Sequence, residues 1–128
     1  MRVLVDTHVY VWWVTDDKQL SEPARAVIAN EDNQVIVSAV TAWELATKVR
    51  FGKWPEAVEL AANIDRELAA DRFTQLAITM EHARVAGFLP SRHRDPFDRV
   101  LAAQAQVEVL PLLTADSVFE DFGVHVIW

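Results

Sequence analysis

Residues 2–8 read RVLVDTH: three consecutive apolar positions, Val3, Leu4 and Val5, followed at once by a carboxylate, Asp6. A short unbroken aliphatic run is the pattern of a strand covered on both faces, as the strands of a parallel sheet are. A carboxylate straight after such a strand is costly unless something pairs with it. The stretch therefore predicts both an α/β fold and a charged site at the strand's end.

Working outward, Thr7–Trp13 has apolar residues on more than one side, as a packed helix would. Ser21, with Pro23 two residues on, caps a helix through Ala29, and residues 30–33 form the turn after it. Val35-Ile36-Val37 is a second apolar strand, and Ser38 opens a helix to about Phe51 that Gly52 and Pro55 stop. Residues 55–71 read as one or two helices, and 76–78 as a third strand. Thr79 caps a helix to Phe88, residues 89–94 make a basic loop, and Asp95-Pro96 begins a helix through Gln106. Residues 109–113 are a fourth strand, in which Pro111 calls for an edge or a bulge, and residues 124–127 a fifth. Strands alternating with helices predict one α/β domain over residues 1–128, a five-stranded, mostly parallel sheet sandwiched between helices.

Composition narrows the function. The 128 residues are 52% hydrophobic, enough for one core, and contain no cysteine, so disulfides and thiolate zinc sites are excluded. No apolar stretch approaches the ~20 residues of a membrane span. No signal-peptide pattern opens the chain, and a soluble, cytoplasmic protein is expected. Only Gly52, Gly87 and Gly123 are present, so neither a dinucleotide fingerprint nor a P-loop can be written and no nucleotide cofactor is expected. The net charge of −7 argues against a nonspecific nucleic-acid binder. Cations nevertheless gather locally at Arg92, His93, Arg94 and Arg99, and again at Lys48, Arg50 and Lys53.

In a parallel sheet, strand ends and the first turns of the following helices share one rim. Asp6 ends the first strand, Asp116 follows the fourth, and Asp98 lies in the first turn of the helix that Asp95 caps. Glu44 is a turn and a half into the helix after the second strand, about 8 Å along its axis. Four such acids would repel one another until a divalent cation neutralised them. Oxygen ligands without paired histidines suit Mg²⁺ or Mn²⁺ better than zinc, and the chemistry implied is phosphodiester hydrolysis. Each acid also has an ordinary reading. Asp6 and Asp116 suit turns or caps, Glu44 a capping box with Thr41 or a pair with Lys48, and Asp98 the helix dipole. The joint placement of the acids on one rim favours the metal site. His8, His82, His93 and His125 share no ligand spacing and are assigned to packing or surface. Arg92, Arg94, Arg99 and Lys48 are the candidate phosphate contacts, and Trp12, Trp13, Trp43, Trp54 and Trp128 either stack bases or pack.

Asp6-Thr7-His8 with Trp12, Thr41-Ala42-Trp43-Glu44, His93-Arg94-Asp95-Pro96-Phe97-Asp98-Arg99 leading to Ala102-Ala103-Gln104-Ala105, and Leu113-Thr114-Ala115-Asp116 with Phe119 and Gly123-Val124 together resemble the PIN-domain family. Within it they are most similar to VapC-type toxins of prokaryotic toxin–antitoxin pairs. The resemblance runs in order through nearly the whole chain. It implies a Mg²⁺- or Mn²⁺-dependent endoribonuclease with Asp6, Glu44, Asp98 and Asp116 as its acidic site, Thr114 as a polar neighbour and Asp95 as a supporting acid. It also implies a homodimer silenced by a cognate antitoxin. Three rivals stand beside it: a PIN ribonuclease of RNA processing, a phosphoryl-transfer domain with Asp6 as nucleophile, and a non-catalytic interaction module. The phosphoryl-transfer rival meets His8 where such folds place a second acid.

Overall fold

The computed structural model describes all residues, 1–128. Five strands, β1 (Arg2–Val5), β2 (Gln34–Ser38), β3 (Thr74–Leu76), β4 (Leu112–Leu113) and β5 (Val126–Ile127), form one sheet in the order β3-β2-β1-β4-β5. Every pairing is parallel, so the sheet is wholly rather than mostly so. Eight helices connect and cover the strands: α1 (Thr7–Val14), α2 (Glu22–Ala29), α3 (Ala39–Arg50), α4 (Val58–Ala62), α5 (Ile64–Ala70), α6 (Met80–Phe88), α7 (Pro96–Val107) and α8 (Val118–Asp121). None is long and apolar enough to cross a membrane.

Alternation along the strands divides the interior into two cores. Val3, Val5, Val35, Val37 and Leu113 pack on one face beneath Tyr10, Leu45 and Leu68. Leu4, Ile36 and Leu112 pack on the other against Leu101, Ala102 and Phe119. Burial on both faces is why the strands read as unbroken aliphatic runs.

Chain order reverses between β1 and β4, which lie side by side although over a hundred residues separate them. Connections leave the carboxyl ends of such a pair in opposite directions and open a crevice between them. Asp6 follows β1 there and Thr114 follows β4.

Three strand boundaries differ from the sequence reading: those of the third and fourth strands, and that of the fifth, which spans Val126–Ile127 and not 124–127. The third strand lies at 74–76, not 76–78, because it pairs only with β2 at the sheet edge and carries no apolar run. The fourth is two residues long, and Pro111 sits ahead of it, not at an edge or bulge, giving its carbonyl to the Leu4 amide at 3.0 Å. Residues 55–71 form a 3-10 turn (Pro55–Ala57) and two short helices.

Two features fix the helices that carry the acids. The α3 helix ends in a Schellman motif, in which the Gly52 amide bonds the Val49 carbonyl at 3.0 Å and the Lys53 amide that of Lys48 at 2.9 Å. Gly52 takes φ 70° there, where a side chain would be strained. The α7 helix is pinned to β2 by a buried bond of 2.5 Å from the Ser38 hydroxyl to Gln104 Oε1.

Candidate active site

Asp6 occupies the position before α1, yet its side chain makes no capping bond to that helix. Its Oδ2 instead accepts the Thr114 hydroxyl at 2.6 Å, and the same Thr114 oxygen accepts the Asp116 amide at 3.0 Å. Thr7 and Thr41 join their hydroxyls at 3.1 Å and tie the start of α1 to the start of α3. One turn further along α3, buried Glu44 receives Lys48 Nζ at 2.6 Å, the i,i+4 pair rather than a capping box. Asp95 caps α7, accepting the amides of Phe97 at 2.9 Å and Asp98 at 3.4 Å. Asp116 accepts the Val118 amide at 3.0 Å.

All four rim acids, Asp6, Glu44, Asp98 and Asp116, line one cavity of about 490 Å³ together with Asp95, His8, Trp12 and Lys48. Its electrostatics are those of crowded carboxylates. Burial raises the proton affinity of Asp6, against the opposing effects of the Thr114 bond and His8, and the charge on Glu44 raises it further. Burial likewise pushes the Asp98 carboxyl up to about 6; the bond from His93 opposes this, and the charges on Asp95, Asp6 and Glu44 add to it. Groups that hold their negative charge so reluctantly favour a hard divalent cation, and an oxygen-rich donor set fits one.

The region matches the PIN domain family over residues 3–124. This chain belongs to the PIN-domain family. The PIN domain here is 32% identical over 117 residues to ribonuclease VapC22 of Mycobacterium tuberculosis, a match spanning 89% of this chain and 86% of that protein. Its fold is similar to VapBC2 from Rickettsia felis bound to a DNA fragment from their promoter, with TM-score 0.70 and 16% identity over 100% of this chain and 99% of that one. It is also similar to FitAcB from Neisseria gonorrhoeae, with TM-score 0.68 and 22% identity over 100% of this chain and 97% of that one.

Within this PIN domain two basic residues do something other than charge counting suggests. His93, assigned to packing or surface, places Nε2 2.7 Å from Asp98 Oδ2, and the ligand atoms of His93, Asp95 and Asp98 all lie within 4.8 Å of one another. The one group of ligand atoms this close thus includes an imidazole and belongs to the Asp98 side of the cavity, while Asp6 is held by Thr114 and Glu44 by Lys48. Separate partners keep like charges apart.

Arg99, expected as a phosphate contact, is turned away from the rim. Its five N–H donors meet five carbonyls: Ala86 at 3.0, Gly87 at 3.3, Leu89 at 2.7, Ser91 at 3.0 and His93 at 2.9 Å. Ala86 and Gly87 lie in the last turn of α6, where carbonyls lack helical partners, so Arg99 closes that helix and staples the loop carrying His93 to α7. Arg92 and Arg94 are exposed on the same loop and line an open concavity of about 760 Å³ beside it. Lys48 lies inside the acidic cavity.

Proposed function

We propose that this chain is a Mg²⁺- or Mn²⁺-dependent endoribonuclease, the toxin of a toxin–antitoxin pair. The observation that carries the reading is the single cavity at the β1/β4 reversal in which Asp6, Glu44, Asp98 and Asp116 meet, two of them with raised proton affinity. The likeness to a protein named as a ribonuclease supports the substrate class.

Asp6, held in place by Thr114, is the central ligand in this reading, and Asp98, Asp116 and Glu44 are the other cavity acids that would hold the ion. Asp95 supports them by fixing the first turn of α7. A divalent ion bound by these acids would supply Lewis-acid chemistry, the acidification of a water and the neutralisation of charge on a departing oxygen. The protein's own groups orient the site and receive the RNA backbone, with Arg92 and Arg94 on the loop and Lys48 in the cavity as its cations.

One solved neighbour of the fold is titled a toxin–antitoxin complex, which favours a cognate antitoxin as partner; a cytoplasmic homodimer is the working form in this reading. The test is cleavage of RNA by the purified protein with Mn²⁺, with EDTA, and with Asp6→Asn. Cutting that requires both the ion and Asp6 is the expected outcome, and cutting that survives the loss of either one overturns the mechanism.

A further inference from the structure

A second concavity, of about 350 Å³, adjoins the acidic one and shares His8, Trp12 and Lys48 with it. Its remaining wall is formed by Lys53 and Trp54, with Gln19 and Glu56. The chemistry changes across the shared residues from carboxylates to aromatic rings and amines. His8 and Trp12 are one helical turn apart on α1, with ring centroids 5.9 Å apart, and the His8 ring lies 4.7 Å from that of Trp54. Trp128, 6.0 Å from Trp12 and 40% exposed, extends the row of rings. Lys48 Nζ lies 5.2 Å from the centre of the Trp54 ring, while already bound to Glu44.

Lys53 differs from Lys48. It is exposed and forms no salt bridge, and the Schellman turn after α3 fixes its backbone. In a chain of net charge −7, an amine outside any salt bridge beside the exposed His8 ring and the part-exposed Trp12 is suited to an anion that also carries a flat apolar group. A nucleotide is both, and ring stacking accepts any base. We propose that this groove is a nucleotide subsite for the RNA strand, holding the residue next to the phosphate at the acidic cavity: the exposed His8 ring stacks its base, Trp12, inclined at 58° to that ring, meets the base edge-on, and Lys53 binds its phosphate. The inference rests on the ribonuclease reading and adds a place where the strand is gripped.

The test is fluorescence anisotropy with a labelled single-stranded 12-nucleotide RNA, in EDTA for the wild-type frame and in Mn²⁺ on an Asp6→Asn background so that the probe stays intact. Both substitutions used, His8→Ala and Lys53→Gln, replace exposed side chains and should melt like their parent. His8→Ala should weaken binding by about 5- to 100-fold with the salt dependence unchanged. Lys53→Gln should lower the slope of log affinity against log salt by about 0.7. A backbone of the same length without bases should feel Lys53→Gln but not His8→Ala. If the parent binds RNA and both variants bind it as tightly, the subsite is overturned, the groove falls to a protein segment, and the ribonuclease reading stands. If the parent binds RNA under neither condition and the wild-type protein with Mn²⁺ does not cut it, both fall.

Discussion

The Thr114 hydroxyl donates a 2.6 Å hydrogen bond to Asp6 Oδ2, joining residues 108 positions apart at the ends of two neighbouring strands. The same oxygen accepts the Asp116 amide, so one buried side chain sets the orientation of one rim acid and the backbone position of another. Thr114→Val keeps the shape and removes both bonds. Cleavage should fall about 10- to 100-fold, the range for losing a group that orients a metal ligand, and stability by about 1–3 kcal/mol. Thr114→Ser should restore most of each, as measured by kcat and urea unfolding. A Val variant with wild-type kcat would show that Asp6 needs no such anchor.

Arg99 is a structural residue in this account. A lysine keeps the charge but has three donors on one atom and cannot reach five carbonyls spread over residues 86–93. Arg99→Lys should cost about 2–4 kcal/mol in denaturant unfolding and lower activity by loosening His93 beside Asp98. The salt dependence of RNA binding should not change, whereas loss of a phosphate contact would reduce its slope by about 0.7.

The raised Asp98 carboxyl sets the sign of a pH effect. Its folded-state value of about 6 lies above the ordinary 3.8, so between the two the folded state binds more protons than the unfolded chain. Stability of the metal-free protein should therefore fall as pH rises from about 4 to about 6 and level off above. Asp6 is shifted in the same direction and adds to the trend. Saturating Mn²⁺, which competes with the protons, should abolish the fall, and cleavage should fade as pH drops below about 6. Thermal melts across this range in EDTA and in Mn²⁺ check it; a metal-free Tm that climbs with pH would contradict it.

The parts of the fold legible in the sequence are those where burial leaves one reading. Val3–Val5 and Val35–Val37 are covered on both faces, so their apolar runs locate β1 and β2. The third strand was misplaced because Thr74-Gln75-Leu76 is paired on one side only and largely exposed; Ile78, which drew the assignment, is itself 39% exposed and lies outside the sheet. That the rim acids converge on one cavity is legible because a parallel sheet gathers strand ends and the starts of the following helices at one rim. His93 was not, since an imidazole five residues before Asp98 gives no periodic signal and meets it only through the fold of the loop. Nor could charge clustering reveal that Arg99 faces carbonyls rather than solvent.

Asp6 is the centre of the proposed divalent-cation site. Calorimetric titration of Mn²⁺ into the wild-type protein and into Asp6→Asn tests this most directly, because the substitution keeps the side chain's size and an oxygen to accept the Thr114 hydroxyl while removing the charge. Saturable heat and a higher Tm with Mn²⁺ for the wild type, and neither for a folded Asp6→Asn, is the predicted result. Equal binding by both proteins, or binding by neither, would contradict it.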